Sequence, residues 1–172
     1  LALVQSKQPA EVEKEIVSLL ESPGSTKIAD RLHYELAWAY QDLQQPEKAL
    51  EQFNNIVSDF PESPVASDSH FQLGEHDYGL DKFDAATGHY RKSLMITGSP
   101  ENVRERAAYK LGWSLYRQNK FAEAYEQFIA HTNEFPEGEF HADGLFMAGE
   151  SLFAQDRWVD ALKSYNSSRA VF

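Results

Sequence analysis

The sequence predicts an all-α fold built as an array of paired helices, and three observations carry that reading. Apolar residues recur at helical spacing: Leu111, Gly112 and Leu115 at i, i+1 and i+4, then Phe121, Ala124, Tyr125 and Phe128 at i, i+3, i+4 and i+7. That is the stripe of an amphipathic helix, and two such stripes joined by a polar break at Gln118-Asn119-Lys120 make a helix hairpin. The unit repeats, because Leu36-Ala37, Leu73-Gly74, Leu111-Gly112 and Ala148-Gly149 follow one another at intervals of 37, 38 and 37 residues. Thirteen residues after each first member stands an alanine (Ala49, Ala86, Ala124, Ala161), and four further on an aromatic ring (Phe53, Tyr90, Phe128, Tyr165). A small residue at a helix crossing with a large ring one turn later is what a close antiparallel helix pair requires.

Taken in order, the first element is half a repeat. Val12, Ile16 and Leu19 lie one period before Ala49, Phe53 and Ile56, with Pro9 opening the helix and Pro23-Gly24 closing it. Residues 9–22 therefore read as a second helix without its first. Four full repeats follow at 30–64, 67–100, 103–138 and 142–172, so that residues 1–172 form a single array. Their internal turns fall at Gln44-Gln45-Pro46, Gly79-Leu80-Asp81, Gln118-Asn119-Lys120 and Gln155-Asp156-Arg157. Pro46 suits an early helical position, where its missing N–H costs nothing. Phe60-Pro61, Gly98-Ser99-Pro100 and Phe135-Pro136 stop the second helices. No polar capping helix follows Asn166 to Phe172, so self-association is expected through Leu162, Tyr165, Val171 and Phe172 or through the orphan N-terminal helix.

Composition narrows the function. At 42% hydrophobic and 25% charged residues the chain is a folded one, and its net charge of −11 opposes binding to nucleic acid or anionic lipid. No apolar run approaches the ~18 residues of a membrane span. Leu1-Ala-Leu-Val lacks the flank and length of a signal peptide, and the chain is expected to be a fragment or a mature product. With no cysteine there is no disulfide frame or thiolate nucleophile, and neither cytosol nor periplasm is favoured. Histidines 33, 70, 76, 89, 131 and 141 never stand four apart, and His33 and His70 read as helix-packing residues. Glu75 and Glu150 belong to repeats two apart, too distant to act as a glycosidase pair. No catalytic residue, metal site or cofactor is expected.

These residues resemble the tetratricopeptide repeat family, whose usual period is about 34 residues. The resemblance spans roughly residues 9–170 and is fullest at Leu111, Gly112, Leu115, Ala124, Phe128 and Pro136; Asp77, at a position usually apolar, and the longer period depart from it. It implies a right-handed superhelical solenoid of antiparallel helix pairs, with first helices lining a concave face, acting as a non-catalytic scaffold for a protein or peptide partner. The long linkers, Phe60-Pro-Glu-Ser-Pro-Val-Ala-Ser and Phe135-Pro-Glu-Gly-Glu-Phe-His-Ala, look like those of bacterial envelope members, the periplasmic coordinator of the Tol-Pal system and the outer-membrane assembly lipoprotein. The setting implied is the periplasm or cell envelope, with the cytoplasm as the alternative.

By the same resemblance the groove positions flank the Leu-Gly pairs. They are Tyr34 and Trp38, Phe71 and Glu75, Tyr109 and Trp113, Phe146 and Glu150. One ring recurs while the second position alternates Trp, Glu, Trp, Glu; three residues before the ring, Arg31, Asp68, Arg106 and Asp143 alternate in sign. The chain thus reads as two copies of a 75-residue double repeat. Either the charges form an ionic ladder between first helices with the rings filling the space between, or the rings and Glu75 and Glu150 make an aromatic, mildly acidic groove for an extended or helical peptide. Simple ancestry by duplication is the third possibility. Arg31, Arg106 and Arg117 are the only basic residues placed near the groove, too few for a clamp on a C-terminal carboxylate. The same rings would also suit a glycan such as peptidoglycan, and the array could equally be the regulatory or assembly part of a larger enzyme.

Overall fold

Each apolar stripe becomes one helix of the computed structural model, which describes residues 9–22 and 24–171. Pro23, Phe172 and Leu1 to Val4, named above, lie outside the described residues. In chain order the helices are α1 (Pro9–Leu20), α2 (Ala29–Asp42), α3 (Pro46–Asp59), α4 (Pro64–Gly79), α5 (Phe83–Met95), α6 (Glu101–Arg117), α7 (Phe121–Glu134), α8 (His141–Phe153) and α9 (Trp158–Val171), with a 3₁₀ turn at Ser25–Lys27. Every helix packs on the next in the chain, and α4 also touches α2 and α6. The molecule is an all-α repeat solenoid, and among the described residues no helix is long and apolar enough to cross a membrane.

The turn inside each pair is made the same way four times. Gln44, Asp81, Asn119 and Asp156 have φ of 57°, 57°, 60° and 59°. This left-handed residue lets the next N–H reach back to the helix end: Gln45 to the carbonyl of Tyr40 (2.8 Å), Lys82 to Asp77 (2.9 Å), Lys120 to Leu115 (3.0 Å) and Arg157 to Leu152 (3.0 Å). Such a bond satisfies carbonyls that would otherwise be left unpaired at the helix terminus. Asn and Asp tolerate this backbone better than other side chains, so Gln44 is the least suited of the four.

Helix α4 begins at Pro64, inside the stretch read from the sequence as linker. Ser63 caps it, accepting from the N–H of Val65 (3.4 Å) and donating to Asp30 Oδ2 of α2 (2.5 Å). The proline blocks nothing, since the first helical N–H has no partner within the helix.

The core sits between the helices of each pair. Ala37, Ala49, Phe53 and Ile56 are sealed in the first, and Ala107, Ala124 and Phe128 in the third. Gly74, Gly112 and Gly149 lie directly beneath the rings of Tyr90, Phe128 and Tyr165, where a Cβ would come within 2.7, 2.6 and 2.5 Å of ring carbons. In these three pairs the glycine therefore sets how closely the second helix approaches the first.

Candidate interaction groove

The two residues flanking each small-residue crossing are held by the ring that covers it. In the first and third pairs that ring is phenylalanine, which offers only edges and faces. Tyr34, Trp38 and Phe53 accordingly meet edge to face, with Tyr34–Trp38 centroids 6.0 Å apart at 78° and Trp38–Phe53 at 6.0 Å and 81°. Tyr109, Trp113 and Phe128 repeat the arrangement at 6.5 Å and 85°, and 6.5 Å and 89°. In the second and fourth pairs the ring is tyrosine, whose hydroxyl needs an acceptor. Tyr90 donates to Glu75 Oε1 (2.5 Å) and Tyr165 to Glu150 Oε1 (2.6 Å).

The alternation of Trp and Glu is thus matched by an alternation of Phe and Tyr on the facing helix. Burial, reinforced by the hydrogen bond to the glutamate, raises the pKa of both phenols, so they stay protonated donors.

Between repeats the charges do not form the ionic ladder considered above. Among the described residues no ion pair joins Arg31 to Asp68 or Arg106 to Asp143; each of the two middle charges instead engages the ring of the preceding first helix. Tyr34 donates to Asp68 Oδ2 (2.6 Å), and the Arg106 guanidinium lies 4.3 Å from the centre of the Phe71 ring. Burial, then the Asp68 charge, raises the Tyr34 pKa. The reason is geometric: the residue three before the ring on one helix faces the ring of its neighbour rather than the neighbouring charge.

The ten expected residues fare differently. Tyr34, Trp38, Tyr109 and Trp113 are half-buried. Phe71 is 0% exposed, enclosed by Arg106 and by Tyr90 at 5.9 Å, and so belongs to the junction between repeats rather than to an open surface. Phe146 is 46% exposed with its ring 5.4 Å from Tyr165. Glu75 spends its second oxygen on Lys110 Nζ (2.8 Å), whereas among the described residues only Tyr165 bonds Glu150. Arg31 and Arg106 are exposed. Arg117 is held by Asp81 (3.0 Å) and the Phe83 ring (4.4 Å). Tyr165, expected at an adhesive end, turns inward to Glu150, while Leu162 (60%) and Val171 (53%) remain exposed.

Three participants escaped the sequence reading. Lys110 bridges Glu75 and the Tyr78 ring (5.2 Å), and Phe140 stacks on Tyr109 at 4.7 Å and 16°. Phe140 caps α8 from a loop, where no periodicity marks it; Lys110 and Tyr78 look like surface residues until α4 and α6 are placed side by side. The histidines pack helices, His33 Nδ1 against Gln52 Oε1 (2.8 Å) and His70 Nδ1 against His89 Nδ1 (3.1 Å).

Sequence models described as tetratricopeptide repeat match residues 32–63 and 106–170, together more than half of the chain. No curated protein matches the sequence. Among solved structures, MamA superposes with a TM-score of 0.72 at 16% identity, over 92% of this chain and 85% of its own. A putative kinesin light chain from Podosopora anserina with nearly identical TPR-like repeats gives 0.70 at 15%, over 95% and 84%. The pilF protein of Pseudomonas aeruginosa gives 0.62 at 17%, over 93% and 76%. At these identities the likeness concerns the fold alone.

Proposed function

The chain belongs to the tetratricopeptide repeat family, and on that premise we propose that it is a non-catalytic scaffold holding a peptide or protein segment in an aromatic, mildly acidic groove. Solenoids of this kind present extended concave surfaces to protein partners. The observation that carries the reading is the pair of Tyr–Trp couples, Tyr34–Trp38 and Tyr109–Trp113, two repeats apart and each pinned edge to face from behind by a phenylalanine. Rings already fixed in place lose little rotamer freedom when a ligand lies on them. Between and beyond them stand Glu75, Phe146 and Glu150, with Arg31 and Arg106 at the rim. Glu150 keeps an oxygen for a backbone N–H or a Lys or Arg of the ligand. The style of the two long linkers supports a place in the bacterial envelope.

Tryptophan fluorescence tests this. Trp158 is 54% exposed and would add background, so the titration uses the Trp158→Phe variant. Peptides selected from a random library should shift the emission of Trp38 and Trp113 saturably, and Trp38→Ala or Trp113→Ala should weaken binding about tenfold or more, the loss of one aromatic anchor. If peptides leave the emission unchanged while peptidoglycan fragments quench it, the groove is a glycan site and the peptide reading fails.

A further inference from the structure

The two copies of the double repeat differ at one junction inside the array. Asp68 and Asp143 hold the same place, 75 residues apart, three before the rings of Phe71 and Phe146. Asp68 is buried, with Tyr34 donating to its Oδ2 (2.6 Å) and Gln72 Nε2 to its Oδ1 (3.3 Å). Asp143 is exposed, and among the described residues no hydrogen bond or ion pair engages it. Two sequence differences account for this. Met147, which has no N–H to donate, stands where the first copy has Gln72, and Phe140 stands in place of Val65, its ring stacked on Tyr109 at 4.7 Å and 16°. Arg106, three residues before Tyr109, is turned the other way, onto Phe71 (4.3 Å). The Asp143 charge still reaches the phenol: burial raises the Tyr109 pKa, hydrogen bonding with Trp113 opposes the rise, and Asp143 adds to it.

Phe140 and Asp143 stand one turn apart at the start of α8, and so on one side of it. The chain itself shows what a carboxylate beside a ring holds. Arg117 lies between Asp81 (3.0 Å) and the Phe83 ring (4.4 Å), and Arg104 between Glu134 and the Phe135 ring (5.8 Å). A guanidinium suits both partners, because its fork matches a carboxylate and its plane lies on a ring. We propose that Asp143, with the Phe140 and Tyr109 rings, is a specificity subsite of the groove that takes an arginine of the bound segment. The inference rests on the peptide reading of the groove and gives that segment an asymmetry. A basic residue accompanies the part lying on Tyr109–Trp113, and none is called for beside Tyr34–Trp38, where Asp68 is already bonded.

The test starts from peptides selected on the protein from a random library, sequenced, fluorescein-labelled and titrated by anisotropy. A shared arginine is expected. Replacing it by Gln in the peptide, or Asp143→Asn in the protein, should weaken binding about fivefold or more, the upper part of the range for an exposed ion pair. The two changes together should weaken it no further than either alone. Asp143→Arg should restore binding of a peptide with Glu in place of the arginine. Losses that simply add put the arginine elsewhere and overturn the proposal, as do selected peptides with no basic position. Asp143 lies in the first turn of α8, where a carboxylate also stabilises the helix end. Asp143→Asn that lowers the urea midpoint but leaves affinity unchanged therefore overturns the proposal as well. In each of these outcomes Trp38 and Trp113 still respond to the peptide and the groove reading stands; if no library peptide moves them, the groove reading fails and the subsite with it.

Discussion

At Gly112 even a methyl group is too large: a Cβ there would sit 2.6 Å from the Phe128 ring, and the ring is itself locked by Tyr109 and Trp113. Gly112→Ala is therefore expected to cost about 1–3 kcal/mol, the range for overpacking a tight core, read as a lower urea midpoint at unchanged slope. His131 poses a different problem. It is 0% exposed, wedged between Tyr109 and Phe135, with no hydrogen-bond partner on either ring nitrogen and Glu105 Oε1 4.0 Å away. Burial, with the nearby His141 charge second, lowers its pKa to about 4, and burial followed by His89 lowers that of His70 likewise to about 4. Because the unfolded chain takes up these protons near pH 6.5, the stability they permit is whole above that pH. It is lost as the pH falls toward 4, by up to about 1.4 kcal/mol per unit for each histidine. A urea midpoint that drops from pH 7 to pH 5, with the drop reduced in His131→Leu, is the expected result; a flat profile contradicts it.

At the scale of helix pairs, the match between Trp and Phe and between Glu and Tyr is the feature with the clearest consequence. Tyr90→Phe leaves Glu75 without its buried donor and should cost about 1.5–3 kcal/mol, as for a hydrogen bond to a charged group. Glu75→Trp leaves the Tyr90 hydroxyl unpaired and should cost about 1–3 kcal/mol. The double variant recreates the first- and third-pair chemistry, so the two losses should fall short of additive by at least about 1 kcal/mol; strict additivity contradicts the pairing. Both halves of this pattern stand in the sequence, as Trp38, Glu75, Trp113 and Glu150 on one side and Phe53, Tyr90, Phe128 and Tyr165 on the other. Helices and turns were legible because stripes, prolines and polar breaks act locally. The pairing was not, because it joins residues 15 apart whose contact depends on how closely the glycine lets two helices approach. The same distance dependence hid the Arg106–Phe71 contact, which residue types alone present as one rung of an ionic ladder, and made Phe71 look like a surface ring.

Over the whole molecule, two lines of chemistry run along the first helices. Ring–charge contacts alternate at the junctions, from Tyr34–Asp68 to Phe71–Arg106, and join successive repeats, while the half-buried Tyr–Trp couples recur every second repeat. A ligand long enough to lie on both couples must cross the second repeat, where Glu75 is already neutralised by Lys110 and so presents a paired rather than a bare charge. The proposed function is one extended segment bound at both aromatic stations, the second contact being intramolecular once the first is made. The three tryptophans make this directly measurable. In protein labelled with 5-fluorotryptophan, the ¹⁹F resonances of Trp38, Trp113 and Trp158 are assigned by single substitution and followed while a library-selected peptide is added. The expected result is that Trp38 and Trp113 move together with one midpoint while Trp158 stays fixed. Movement of Trp158 alone, or of Trp38 and Trp113 with separate midpoints, would contradict a single groove spanning the repeats.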